Sequence, residues 1–113
     1  MNRTLRFIAD AVSGILVGDE TLPVYSVATD TRTLMQDCLF VPLIGDTYDG
    51  HTFVSQAIKN SASAFLWQED RTLPPDLQDF AHIIVPDTLR ALQNLAYAYR
   101  KSLAPGACLV QAM

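Results

Sequence analysis

Hydroxyls, carboxylates and one guanidinium crowd into two short segments of this chain, Thr29-Asp30-Thr31-Arg32 and Gly45-Asp46-Thr47-Tyr48-Asp49-Gly50, with His51 directly behind the second. Threonine hydroxyls both donate and accept hydrogen bonds, as the edge of a uracil or a ribose requires. The Arg32 guanidinium is a planar fork of donors that suits a diphosphate. Each segment also has a purely structural reading. Thr and Asp that follow a strand commonly bond their own backbone in Asx and ST turns. A G-D-T-Y-D-G stretch is an ordinary tight loop, with Asp49 as a helix N-cap, Gly50 as a left-handed turn residue and His51 as a first-turn side chain. It matches neither G-x-x-x-x-G-K-[ST] nor G-x-G-x-x-G, so it is not a Gly-rich phosphate loop. What favours a ligand is the combination: polar donors set on backbone that a sheet holds still.

The elements that would hold them follow from periodicity. Cys38 to Ile44 is a continuous apolar run, which predicts a strand covered on both faces with the two polar segments at its two ends. Pro42 inside the run removes one ladder donor and favours an edge or a bulge. Upstream, Thr4 is an N-cap for a helix carrying Leu5, Ile8 and Val12 on one stripe, ended by Gly14 in a left-handed conformation. Ile15–Val17 and Val24–Val27 read as short strands. Downstream, Asp49 caps a helix whose inward face is Phe53, Ala57 and Ile58, closed by Lys59-Asn60. Ala64–Trp67 and Ile83–Val85 are strands, separated by a surface loop from Gln68 to Phe80 that contains Pro74-Pro75. Asp87 then caps the strongest helix, with Leu89, Leu92, Leu95, Ala96, Tyr99 and Leu103 at helical spacing until Pro105-Gly106. Strands alternating with helices define an α/β fold, a layered sheet of about five short strands with flanking helices, largely parallel in its later part.

Composition narrows the function. Of 113 residues half are hydrophobic and 18% charged, a balance that folds. A net charge of −4, with eight Lys and Arg scattered among twelve acids, argues against a nucleic-acid surface. No run approaches the length of a membrane span, and the amino terminus lacks a signal-peptide pattern. Cys38 and Cys108 lack metal spacing and read as reduced thiols of a cytoplasmic protein. His51 and His82, the only imidazoles, belong to no metal-ligand motif. Trp67, Tyr97 and Tyr99 read as core or rim aromatics, and Glu69-Asp70-Arg71 as a solvated charge run.

Order and spacing add a resemblance. Asp30-Thr31-Arg32, then Leu39-Phe40-Val41, an aliphatic pair ending at Gly45, Asp49-Gly50-His51, Gln56-Ala57-Ile58 and Pro86 through Gln93 together resemble the amino-terminal domain of the Mur ligases, which build the peptide of peptidoglycan. The likeness runs to about residue 103. It is strongest to the branch that adds D-alanyl-D-alanine to UDP-N-acetylmuramoyl-tripeptide. The branch that adds the third peptide residue shares D-[ST]-R and D-G-H and is the alternative, and a non-catalytic interaction module is the rival of another class. The resemblance implies contacts to the uridine nucleotide from Thr29 and Thr31 and a uracil pocket lined by Asp46, Thr47 and Tyr48. Tyr48 would stack on the base, while Asp46 tolerates the site only by facing ribose hydroxyls. Asp30, Gly45, Asp49, Gly50 and His51 are then turn and cap residues.

It further implies ATP and Mg2+ in a full-length enzyme with central and carboxy-terminal domains. Here there is no Gly-Lys pair, and Lys59 and Lys101 are the only lysines. No P-loop can be assembled, so no cofactor is assigned to this chain and it is not expected to ligate alone. Residues 1–106 read as the UDP-substrate domain and 107–113 as the truncated start of the next. Met35-Gln36-Asp37-Cys38 replaces the family's usual Pro-Gly turn, which alters loop geometry more than the pocket.

Overall fold

A computed structural model describes residues 3–30, 36–45 and 49–101. Arg3–Thr4 (β1) pairs antiparallel with Pro23–Val24 (β3), a two-stranded ladder beside the main sheet. The Thr4 hydroxyl accepts the Phe7 N–H at 3.3 Å and starts helix α1, Leu5–Val12, whose Leu5, Ile8, Ala9 and Val12 are buried as the periodicity predicts. The left-handed position that ends α1 is Ser13 (φ 56), not Gly14. Gly14 answers a different demand, because a Cβ there would lie 2.4 Å from Ile83 Cγ2.

Five strands form the sheet: Ile15–Val17 (β2), Ser26–Ala28 (β4), Cys38–Phe40 (β5), Ala62–Gln68 (β6) and His82–Val85 (β7). Their order is β2-β7-β6-β5-β4, parallel from β4 through β7, with β2 antiparallel on the β7 edge. The predicted Val24–Val27 strand is divided at Tyr25, whose N–H turns to the Asp37 carbonyl at 3.0 Å. The predicted Cys38–Ile44 strand pairs over three residues only. Val41 still donates to Ala28 O at 2.8 Å, but Pro42 has no N–H to offer a strand flanked on both sides, and the ladder stops.

Side-chain alternation gives the sheet two apolar faces. Leu39, Val41, Ala64, Leu66, Ile83 and Val85 pack with α1 and with helix α3, Thr88–Lys101. Cys38, Phe40, Phe65 and Trp67 pack on the other face with Val54 and Ala57 of helix α2, Val54–Lys59. The helical phases differ from the predicted ones. Asp49 opens a 3-10 turn, Gly50–Phe53, before α2. Its tighter winding rotates the stripe, so Val54 is buried and Phe53 is 43% exposed. In α3 the buried stripe is Thr88, Ala91 and Leu95, with Leu92 packed beside it and Leu89 53% exposed. The Thr88 N–H bonds the Gln68 side-chain oxygen at 3.1 Å and turns that residue inward. Leu103, Pro105-Gly106 and Cys108 lie outside the described residues. Of the predicted Gln68–Phe80 surface loop, Gln68 instead ends β6, and the remainder is pinned by buried Leu77 on a short 3-10 turn, Pro75–Leu77.

Candidate functional site

The polar segments are not at opposite ends of one strand. Thr29-Asp30 follows β4, Gly45 to Gly50 follows β5, and these parallel neighbours pair Ala28 against Phe40. Both segments therefore leave from the same, carboxyl edge of the sheet, where open α/β folds bind ligands. Thr29 is exposed and Asp30 half-buried there. Thr31, Arg32, Asp46, Thr47 and Tyr48 lie outside the described residues. The described ends of the second loop are tied together: Ile44 bridges Asp49, and the Gly50 N–H donates to Leu43 O at 2.7 Å. Gly50 is not in the left-handed region, which among described glycines only Gly18 occupies. It is required sterically instead, since a Cβ would meet Leu43 N and O at 2.7 Å.

Asp49 caps the 3-10 turn as predicted, accepting the His51 N–H at 2.9 Å. His51, the expected first-turn side chain, is also a buried network residue. Its Nδ1 lies 2.7 Å from the same Asp49 oxygen, and its Nε2 faces the Gln68 backbone N–H at 3.1 Å. A backbone N–H can only donate, so Nε2 is the bare acceptor and Nδ1 carries the proton toward Asp49. Burial holds the imidazole below its ordinary pKa, outweighing the neighbouring carboxylate. For Asp49, burial pulls the carboxyl upward, but the His51 hydrogen bonds and the Arg71 charge outweigh it and hold the group below the usual value. Arg71 Nε is 2.8 Å from Asp49 Oδ2, yet its angle makes no hydrogen bond, so this contact is an ion pair only. The His51 ring stands edge-on to Trp67 at 4.7 Å.

This network joins the loops after β5, β6 and β7. Gln68 ends β6, and its side chain reaches Thr88 at the start of α3. The sequence reading missed Arg71, Gln68 and Thr88. The Asp49–His51 spacing signals a local pair, but nothing in the Glu69-Asp70-Arg71 run announces an inward guanidinium. Among the described residues no group of His, Cys, Asp or Glu could hold a metal ion. Two surface cavities, of about 230 and 330 Å³, lie beside α3, one near Asp87 and Arg90 and one near Ser26 and Tyr99. Neither is lined by a predicted site residue.

A mostly parallel sheet with helices on both faces, and Thr29, Asp30, Asp49 and Thr88 at the carboxyl ends of its strands, defines an α/β domain. Residues 23–100 match the family model described as "Mur ligase family, catalytic domain". The chain belongs to the Mur ligase family. It is 46% identical over 105 residues to the UDP-N-acetylmuramoyl-tripeptide--D-alanyl-D-alanine ligase of Bacillus subtilis, covering 91% of this chain and 22% of that protein. It is 34% identical over 76 residues to UDP-N-acetylmuramyl-tripeptide synthetase 2 of Oceanobacillus iheyensis, covering 67% and 15%. A crystal structure of MurF from Acinetobacter baumannii superposes with a TM-score of 0.77 at 24% identity, over 92% of this chain and 22% of that one, a likeness of fold. The chain thus spans about a fifth of the length of the curated ligases it matches.

Proposed function

We propose that this chain is the substrate-recognition domain of a cytoplasmic Mur ligase that adds D-alanyl-D-alanine, and that it holds the UDP end of UDP-N-acetylmuramoyl-tripeptide. The observation that carries this reading is the convergence of the Thr29 and Gly45–Gly50 segments on one carboxyl edge, after adjacent parallel strands. In it Thr29 and Thr31 bond the uracil edge and ribose, Arg32 meets the diphosphate, and Asp46, Thr47 and Tyr48 line the base. Its contribution is positional, because anchoring the remote nucleotide orients the distant peptide carboxylate where chemistry occurs.

ATP and Mg2+ belong to the remaining domains of the full-length enzyme. The residues present do not fit them, for want of a Gly-Lys loop in the sequence and of a metal-binding group among the described residues. No step through either is assigned to this chain. Residues 1–106 form the recognition domain, and 107–113 begin the segment leading into the central domain. The Oceanobacillus relative supports a second reading, a domain of the branch that adds the third residue. Both place UDP on the same turns.

The test is a heteronuclear NMR titration with UDP and ADP, reading amides 29–32 and 45–51. A site that bonds a pyrimidine edge leaves groups unpaired when a purine enters, so UDP should bind in preference. Thr31→Val keeps the volume and removes the hydroxyl, and should weaken UDP binding by about 1–2 kcal/mol with the fold intact. Equal responses to both nucleotides, or shifts clustered elsewhere, return the turns to structural duty and favour an interaction module.

A further inference from the structure

Arg71 stands in a charge run that reads as solvated, yet its guanidinium turns inward. The side chain is 29% exposed, and its buried Nε lies against Asp49 Oδ2. The backbone is held as well: the Trp67 indole N–H donates to Arg71 O at 2.9 Å, and the Arg71 N–H to Gln68 O at 3.1 Å. Withdrawing a guanidinium from water is costly unless a partner compensates it. Two carboxylates compensate it: Asp49 against the buried Nε, and the exposed Asp70, whose Oδ1 accepts from Arg71 Nη1 at 3.4 Å. Of the two, Asp49 also ties the described ends of the loop between β5 and α2. Its backbone bridges Ile44, its carbonyl accepts from the Thr52 N–H and hydroxyl at 3.1 and 2.9 Å, and its neighbour Gly50 is packed on Leu43. The carboxylate is thus held from two sides. His51 engages one oxygen and Arg71 the other.

We infer that Arg71 is a positioning residue: it clamps Asp49, and through Asp49 it holds the Asp49–His51 end of the β5–α2 loop against the end of β6. The consequence for nucleotide affinity rests on the assignment of that loop to UDP, whereas the clamp itself does not. A loop fixed before the ligand arrives spares the ordering cost on binding, so the surface sequence after β6 tunes the grip on the nucleotide without touching it.

Arg71→Met keeps most of the stem and removes the charge. In the 113-residue chain, amide exchange at Gly50 and His51 should accelerate about tenfold while β6 and β7 amides stay protected, and UDP affinity should fall about three- to tenfold. Arg71→Lys, which restores a point charge, should recover most of both effects. Asp49→Asn retains the cap, and in that background Arg71→Met should add little, as groups acting through one another do. Unchanged exchange at Gly50 and His51 overturns the clamp whether or not UDP binds. Weakened UDP binding with unchanged exchange makes Arg71 a direct nucleotide contact and overturns it equally. Exchange that responds in a protein blind to millimolar UDP supports the clamp and sinks the nucleotide assignment instead.

Discussion

Asp49 and His51 make the carboxyl edge sensitive to acid in a way that can be signed. His51 is held below its ordinary pKa by burial, so between its folded value and about 6.5 the unfolded chain binds more protons. Its contribution to stability is fully present above about pH 6.5 and is lost as pH falls through the folded value. Protonation would also aim Nε2–H at the Gln68 N–H, two donors face to face. The Asp49 contribution, from a depressed carboxyl, persists above about pH 4 and fades only below it. Urea midpoints should therefore drop between pH 7.5 and pH 5, and His51→Gln should flatten that drop. The same slope in both proteins would count against the buried neutral imidazole. Asp49 as a cap was legible from the sequence. The depth of His51 was not, because its ligand is a backbone N–H seventeen residues away.

Among the elements, α3 shows how far periodicity reaches. Leucines at 89, 92 and 95 allow more than one stripe, and the choice depends on a contact from outside the helix, the Gln68 side chain on Thr88. The observed phase makes distinct demands on its leucines. Leu95, 2% exposed against the sheet, should cost about 2–5 kcal/mol when replaced by alanine. Leu89→Ala, on the solvent side, should stay within about 0.5 kcal/mol. Chemical denaturation of the two variants checks the assignment, and comparable losses would show the phase to be wrong. The 3-10 turn before α2 has the same effect on Phe53 and Val54: its cap is readable, but the tightness of the turn follows from the packing of Gly50 on Leu43.

For the whole molecule, the parallel arrangement of β4 to β7 puts the turns after four strands on one edge, and the Arg71–Asp49–His51–Gln68–Thr88 network laces three of them together. That edge is where we propose the nucleotide is held, and the chain has no phosphate-cradling Gly-Lys loop. Purified material should accordingly neither bind nor hydrolyse ATP. Magnesium-dependent phosphate release that scales with the amount of protein would disprove this. Among the described residues no helix is long and apolar enough to cross a membrane.

The α/β class, the Thr4, Asp49 and Asp87 caps, the β6 and β7 strands and the family resemblance all come from local information: side-chain period, capping chemistry and motif order are written in consecutive residues. The strand limits near Tyr25 and Pro42, the phase of α3, the steric roles of Gly14 and Gly50 and the inward turn of Arg71 do not. Each depends on atoms outside its own local segment: Asp37 O, the flanking strands, Gln68 Oε1, Ile83, Leu43 and Asp49. The largest difference is the relation of the two polar segments. Reading along the chain puts them at opposite ends of one strand. Parallel pairing of β4 with β5 brings them to the same edge, because parallel neighbours end on the same side of the sheet.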